Sequence, residues 1–401
     1  MTGLMAGSPS PVDQLVTLDN WHDAPFNRWG YLHARELVPT AGIDRGVGPV
    51  TELPRQEHGI EHVMFQLRGR THTVGQMLAD TQTDGYLVLH EGRLIAERYA
   101  NGMTPATPHL LQSVSKSLTS ALAGVLVDQG RLDPTGLVVD YVRELRGTSF
   151  EGCTVQHLLD MRAGTRFSEA YEDGHADIRM SEQVSGWRPR TTPGLPASLY
   201  EYMPSLPNAR EHGQSFDYRS ILTDVLGWVL ERASSVRFAE LFSREVWSRI
   251  GAERDGYVTV DSHGCALADG GICVTLRDLG RFGLLYLNDG AIGGQQVVSA
   301  EWVRRLSRPD GQLSSVFGGA LSVPGVTTAE TMYHDQWWIL DPTRGIHVGL
   351  GIHGQLLLIH RPSQTVIVKL STQPKPVDRA VSAYQLTGSL AICDALAAGS
   401  L

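Results

Sequence analysis

Lysine is nearly missing from this sequence. Only three occur, Lys116, Lys369 and Lys375, and every other basic side chain among the 34 is an arginine. Charge is sparse too: charged residues make up 19% of the chain, the formal net charge is −9, and no basic block interrupts it. Nucleic-acid binding needs clustered Lys and Arg, so that class is excluded, and so is docking on an acidic membrane surface. Cysteine is also scarce. The four, at 153, 265, 273 and 393, include no Cys-x-x-Cys pair. Zinc ribbons and dithiol redox motifs therefore have no support, and buried free thiols are expected. No stretch approaches the ~20 apolar residues of a membrane span. The first 16 residues lack the basic and apolar regions of an export signal. A soluble, cytoplasmic protein is expected, with no membrane and no nucleic acid among its partners.

What is present is apolar bulk: 42% hydrophobic residues over 401 positions, enough for a large core and for two units sharing a site. Residues 1–80 are rich in Pro, Gly and His and read as an arm packed on that core, with Trp21, Phe26 and Trp29 facing inward. A hairpin follows, with strands over 85–90 and 93–99 and Glu91-Gly92 as its two-residue turn. Leu118, Ala121, Leu122, Val125 and Leu126 recur at helical spacing, which predicts a helix from 113 to 128 stopped by Gly130. Helices over 154–161 and 223–231 sit among long loops, and a strand meander over 346–352, 355–360 and 365–371 precedes a helix over 382–398. Strands at both ends with helices between predict an α/β fold of the α+β type. Residues 81–140 and 276–401 would form one discontinuous domain around an antiparallel sheet, and 141–275 a mostly helical insert carrying substrate loops.

Ser113-Val114-Ser115-Lys116 opens the predicted long helix. Residues three apart share a helix face, so the amine can reach the hydroxyl. A serine hydroxyl needs an adjacent base to become a nucleophile. Lysine can serve if burial lowers its pKa, whereas arginine cannot lose its proton. A chain that uses arginine almost everywhere but lysine here points to a titrating base, against the plainer reading of a solvent-facing helix lysine. Tyr218, in Tyr218-Arg219-Ser220 before another helix, is a candidate proton relay; a core tyrosine is the alternative. Gly349-Leu350-Gly351-Ile352-His353-Gly354 matches G-x-G-x-x-G, but an apolar strand follows instead of a helix, so the dinucleotide reading fails. An edge strand with little side-chain bulk is expected there, its backbone N–H completing an oxyanion hole, with a glycine-rich bend as the competing reading. His58-Gly59-Ile60-Glu61-His62 fits the H-x-x-E-H zinc pattern, yet the glycine weakens the helix it needs and no third ligand is evident, so no metal is expected. A G-x-S-x-G elbow is absent, which argues against the α/β-hydrolase fold.

Taken in order, these elements resemble the serine β-lactamase and penicillin-binding superfamily, above all class C enzymes and related esterases, and within it the 6-aminohexanoate-dimer (nylon-oligomer) hydrolases. The resemblance runs nearly full length, through Asn27-Arg28-Trp29, Ser113 to Leu118, Thr223 to Leu226, Gln336-Trp337-Trp338, Gly351 to Gln355 and Val366 to Ser371. It implies a β-lactamase/transpeptidase-like fold and a serine hydrolase of linear amides or carboxylic esters that needs no cofactor. Ser113 would be the nucleophile, Lys116 the base and Tyr218 the proton donor to the leaving group, with the N–H groups of Ser113 and Ile352 as oxyanion hole. Trp338, His353 and Gly354 would line the substrate site, with Ser220 standing where many relatives carry Asn. Tyr171 matches a loop tyrosine that closes over substrate, Glu182 an acidic loop position linked to amide substrates, and Asp269 an Asn of the dimer hydrolases. Glu182 and Asp269 would make the pocket acidic, suited to an ammonium-bearing substrate. Ser382 stands where the group has a histidine. His353-Gly354 replaces the Lys-Thr-Gly motif of true β-lactamases, which counts against β-lactam turnover. The expected partner is a small amide or ester, and a homodimer stays open. The rival readings are a carboxylesterase with little amidase activity, a D-aminoacyl peptidase or β-lactamase, and a catalytically silent acyl-binding relative.

Overall fold

The structure is a computed structural model, and residues 3–401 are described. Its centre is a seven-stranded antiparallel sheet. In chain order the strands are β1 (Thr83–His90), β2 (Arg93–Tyr99), β3 (Met332–His334), β4 (Trp337–Asp341), β5 (Ile346–Gly351), β6 (Gln355–His360) and β7 (Thr365–Ser371), arranged β3-β4-β5-β6-β7-β1-β2. The β1–β2 hairpin turns at Glu91 and Gly92, both at positive φ (50° and 75°), the geometry of a tight two-residue hairpin turn. Side chains alternate between two cores as period-2 strands require. Leu87, Leu89, Leu357, Ile359, Val366 and Val368 face one core, and Tyr86, Val88, Leu356, Leu358 and Ile367 the other.

Four helices place the rest: α1 (Val114–Asp128), α2 (Ile221–Ser234), α3 (Leu276–Leu287) and α4 (Arg379–Ala397). α1 is buried on all sides from Val114 to Leu126, and it packs between the sheet and α2. α3 lies flat on β1, β6 and β7. It approaches so closely that a Cβ on Gly283 would stand 2.3 Å from Val366 Cγ1. A glycine inside a helix costs about 1 kcal/mol relative to alanine, and here the contact with the sheet demands it. α4 covers the opposite face, with Leu386, Ile392 and Leu396 in the second core and Ser389 Oγ 3.1 Å from the Tyr86 hydroxyl.

A second sheet was not foreseen. It orders Thr40–Ile43, Gly256–Thr259, Ile272–Val274 and His109–Leu110 side by side, pairing the N-terminal stretch with the region expected to be mostly helical. Trp21 is fully buried and its Nε1–H donates to Trp187 O at 2.8 Å, so the first stretch belongs to the core it was expected to lie on. The Gly349–Gly351 segment also differs from expectation. β5 is an interior strand, not an edge strand. Its pairing with β4 nevertheless ends at Val348, opposite Trp338, so the last three residues of β5 have a strand partner on one side alone.

Candidate active site

Ser113 caps α1, and Lys116 stands one turn on, buried at 1% exposure. The Lys116 ammonium spends its three donors on Ser113 Oγ (3.0 Å), Ser220 Oγ (3.0 Å) and Asp269 O (2.9 Å). The helix spacing that the Ser-x-x-Lys motif requires is therefore realised. Ser220 and Tyr218 come from the start of α2, Asp269 from the loop between the second-sheet strands 256–259 and 272–274, and Ile352 from the end of β5. Tyr218 stacks on Trp338, ring centroids 5.2 Å apart and planes 22° apart, and the Lys116 Nζ lies 5.2 Å from the Tyr218 centroid. Neither the Ser113 nor the Ile352 N–H donates to a backbone acceptor among the described residues. Gly351 lets the two segments meet: a Cβ there would fall 2.9 Å from Leu111 O, on the chain leading into Ser113.

A cavity of about 270 Å³ opens in front of Ser113, bounded by Glu169, Tyr171, Tyr218, Trp338 and Ile352. Gly354 also lines it. A small polar recess of about 30 Å³ lies on the other side of Ser113 and Tyr171, walled by Glu182, Ser220 and Asp269.

The electrostatics correct one expectation. Burial does push the Lys116 pKa down, but Tyr218, Asp269, Glu169 and Asp224 together outweigh it and hold the ammonium above the ordinary lysine value. The Asp269 carboxylate is 3.8 Å from Nζ. Burial raises the Tyr218 hydroxyl pKa, with Lys116 opposing and Glu169 adding to the rise. The resting pair is thus a lysine ammonium beside a neutral phenol. Burial likewise raises Glu169 and Asp224, the latter also through the neighbouring Asp269 carboxylate, whose own N–H donates to Asp224 Oδ1 at 3.1 Å.

Two of the expected substrate residues sit otherwise than foreseen. Glu182 adds no free negative charge to the pocket: Arg179 Nη1 contacts it at 2.8 Å and Arg188 Nε at 2.6 Å. His353 is 3% exposed and turned away from the cavity; its Nδ1–H donates to Gln373 O at 2.6 Å, and burial drives its pKa to about 4, so it is neutral. Tyr171 lines both the cavity and the recess, its hydroxyl 3.3 Å from Glu169 Oε2 and its carbonyl held by Arg179 Nε at 3.0 Å. Ser382 lies on the cavity wall.

Sequence reasoning missed Glu169, which accepts the Ser220 N–H and closes the acidic group around Lys116. A lone loop glutamate two positions before Tyr171 carries no signal of its own. It assigned no role to Gln336, quoted only as part of the resemblance. This residue is 1% exposed, accepts from Thr223 Oγ1 (2.8 Å), donates to Leu158 O (2.8 Å), and offers its carbonyl to Ser117 Oγ (3.1 Å), so it ties α1 to α2.

The zinc-like pattern finds no use as a cluster. Glu61 pairs with Arg98 Nε at 2.5 Å, while His58 is half-buried and His62 exposed. The one group of metal-ligand type among the described residues is Asp160, His334 and Asp335. It is internally paired, with His334 Nδ1 2.8 Å from Asp160 and Arg305 Nε 3.0 Å from Asp335. No helix of the described residues is long and apolar enough to cross a membrane.

The comparisons agree with this geometry. The Beta-lactamase family model matches residues 71–391. The 6-aminohexanoate-dimer hydrolase of Paenarthrobacter ureafaciens is 38% identical over 384 residues, covering 94% of this chain and 91% of that protein. A solved structure from Bacillus anthracis, described as a candidate 6-aminohexanoate-dimer hydrolase, superposes with a TM-score of 0.87 at 28% identity, covering 96% of this chain and 98% of its own. An octameric penicillin-binding protein homologue from Pyrococcus abyssi shares the fold at a TM-score of 0.56 and 19% identity, over 79% of this chain and 76% of its own. With its antiparallel sheet flanked by helices and a serine–lysine pair at the head of α1, the chain belongs to the Beta-lactamase family.

Proposed function

We propose that this protein hydrolyses linear amides and carboxylic esters through a seryl acyl-enzyme, in the manner of a 6-aminohexanoate-dimer hydrolase. The observation that carries the reading is the 3.0 Å contact from Lys116 Nζ to Ser113 Oγ at the floor of the cavity. Ser113 Oγ attacks the carbonyl carbon, and the N–H groups of Ser113 and Ile352 receive the oxyanion. The Ser113 proton passes into the Lys116–Tyr218 pair, and Tyr218 delivers a proton to the departing nitrogen or oxygen. Water then attacks the acyl carbon, gives its proton back to the pair, and Ser113 leaves. Of the two units in which we propose the chain is organised, 81–140 with 276–401 supplies Ser113, Lys116 and Ile352, and 141–275 supplies Tyr218, Ser220 and Asp269.

A fluorophosphonate probe is expected to label the protein once, at Ser113, by peptide mass mapping; an unlabelled protein would favour the silent acyl-binding reading. One observation favours a preference for esters over amides within this function. The relatives' acidic loop position is Glu182 here, and its oxygens are occupied by Arg179 and Arg188. Rates on the 6-aminohexanoate linear dimer and on a short-chain nitrophenyl ester, measured side by side, separate the two.

The pair acts as a base only after losing one proton, because Lys116 rests as an ammonium and Tyr218 as a phenol. Activity should therefore climb with pH from neutral into the alkaline range. Asp269→Asn removes a negative neighbour that raises the Lys116 pKa. The rising limb of kcat/KM is expected to move down by about one pH unit. A limb that stays in place would show that Lys116 is not the group titrating.

A further inference from the structure

An oxyanion hole works only if both of its donors aim at one point, so the Ile352 N–H needs something to hold it there. Ile352 opens a short turn, Ile352–Gly354, at the end of β5. The turn is not self-supporting. His353 stands in it at φ 59°, ψ 20°, the left-handed region that a residue with a Cβ avoids unless its surroundings impose it. β4 gives no support, since its pairing with β5 has ended at Val348. The far side of the turn is pinned through His353, whose N–H donates to Pro376 O (2.9 Å) and whose carbonyl accepts from the Gln373 N–H (3.0 Å). Ile352 itself is gripped by the Gln355 side chain.

Gln355 is fully buried, and its amide is spent on backbone groups. Nε2 donates to Ile352 O (3.2 Å) and to Ser371 O (2.7 Å), and Oε1 accepts from the Ser371 N–H (3.0 Å). The register explains why an amide stands here. The β6–β7 ladder ends at Leu356, opposite Lys369, so Ser371 lies beyond its last rung. A primary amide carries both a donor and an acceptor, as a peptide group does, and Gln355 supplies the missing rung with its side chain. Its second N–H is left for Ile352 O. Gln355 therefore brackets Ile352: its backbone is the strand partner of Gly351, and its side chain holds the Ile352 carbonyl. The N–H between those two anchors has little freedom to turn. Gln355 is not part of the wall of the cavity in front of Ser113, so it acts through Ile352 and not on substrate. We propose that Gln355 is a positioning residue, which ties Ile352 to β7 and thereby aims the Ile352 N–H at the oxyanion. This inference rests on the seryl acyl-enzyme reading above and deepens it.

The test pairs ester kinetics with a trifluoromethyl ketone, whose carbonyl carbon takes Ser113 Oγ to give a tetrahedral adduct with its oxyanion in the hole. Gln355→Met keeps the side chain's length and removes its hydrogen bonds. On a nitrophenyl butyrate, kcat per labelled Ser113 is expected to fall about 30-fold, short of the ~10²–10³ lost when an oxyanion donor is deleted. KM should stay within about twofold, and the ketone should bind more weakly by the factor that kcat/KM loses. A merely structural role would instead lower the melting temperature or the fraction of molecules that a fluorophosphonate labels, with the ketone's affinity for the folded fraction unchanged. Gln355→Glu, which at neutral pH keeps an acceptor for the Ser371 N–H and has no donor for Ile352 O, should lose rate in the same way, and it carries the test if Gln355→Met does not fold. A kcat within about threefold of wild type in a folded variant, a fall in kcat at unchanged ketone affinity, or failure of both variants to fold would overturn the inference. Wild-type hydrolysis that Ser113→Ala abolishes keeps the acyl-enzyme reading intact in each case. No hydrolysis by the wild type would count against that reading instead.

Discussion

Lys116→Arg is expected to lose activity as completely as Lys116→Ala, by at least about 10³-fold in kcat, alongside a loss of about 10⁴-fold or more for Ser113→Ala. The arginine variant is the informative one. It keeps the positive charge beside Asp269, Glu169 and Asp224, so it preserves whatever that charge contributes by attraction. It cannot give up a proton under any ordinary condition. If Lys116 merely balanced the surrounding carboxylates, Lys116→Arg would retain a substantial part of the rate, and more than a tenth of wild type would refute proton transfer through Lys116. Because the site is packed tightly, with the ammonium bonded to Ser113, Ser220 and Asp269, thermal unfolding of each variant should be read beside the kinetics. A Lys116→Met variant, similar in length and uncharged, separates loss of chemistry from loss of packing.

The second large effect concerns acid. Four histidines are buried in neutral form: His22, its pKa pushed by burial well below its ordinary value, His347, pushed to about 3, and His353 and His360, each pushed to about 4. His347 has no hydrogen-bond partner for either ring nitrogen, so it has no means of holding a proton inside the core. A folded-state pKa below the unfolded value means that the unfolded chain takes up protons the folded one refuses. Their stabilisation is complete above about pH 6.5 and is lost as pH falls below it, continuing toward pH 4. Each group contributes at most about 1.4 kcal/mol per pH unit in that window, and the four act in the same direction. Set against a typical folding free energy of about 5–15 kcal/mol, this predicts a marked loss of stability as pH falls from 6.5, opposed by the buried carboxyls of Glu169 and Asp224, whose raised pKa values favour the folded state in acid. His334 works in the opposite sense. Asp335 and Asp160 outweigh its burial and raise it to about 9, so its contribution is present below pH 6.5 and fades as pH rises toward 9. Urea midpoints at pH 7 and pH 5 test the balance. An unchanged midpoint would contradict it, and His347→Phe should remove about a quarter of the histidine part of the slope.

The sequence made legible whatever one local pattern could specify. The hairpin came from alternation plus Glu91-Gly92, α1 from helical spacing plus Gly130, and the meander from three apolar runs separated by turns, with errors of a few residues at their ends. Ser113 and Lys116 were readable because one helix turn carries both. β3 and β4 were not read because Met332–His334 and Trp337–Asp341 are short, and their register depends on partners far along the chain. The second sheet escaped for the same reason: its pairings join Thr40–Ile43 to Gly256–Thr259, more than two hundred positions apart. The Lys116 pKa was misjudged because burial is visible in apolar flanks, whereas the carboxylates that outweigh it arrive from three separate segments. Glu182 was misjudged likewise. Its charge was plain, but the pairing with Arg179 and Arg188 is a property of the folded loop.

The rarity of lysine has a practical corollary. Lys116 and Lys369 are buried, at 1% and 0% exposure, which leaves Lys375 as the one exposed side-chain amine of the chain. It sits between Pro374 and Pro376, and Pro376 is part of the cavity wall. Amine-directed coupling, whether to a dye, a polymer or an activated resin, would therefore modify this protein's side chains at a single place, beside the entrance. A conjugate formed through Lys375 would hold the entrance against the support. Moving that lysine to the far surface through a Lys375→Arg exchange and one new lysine elsewhere would turn the same chemistry into a tether that leaves the entrance open.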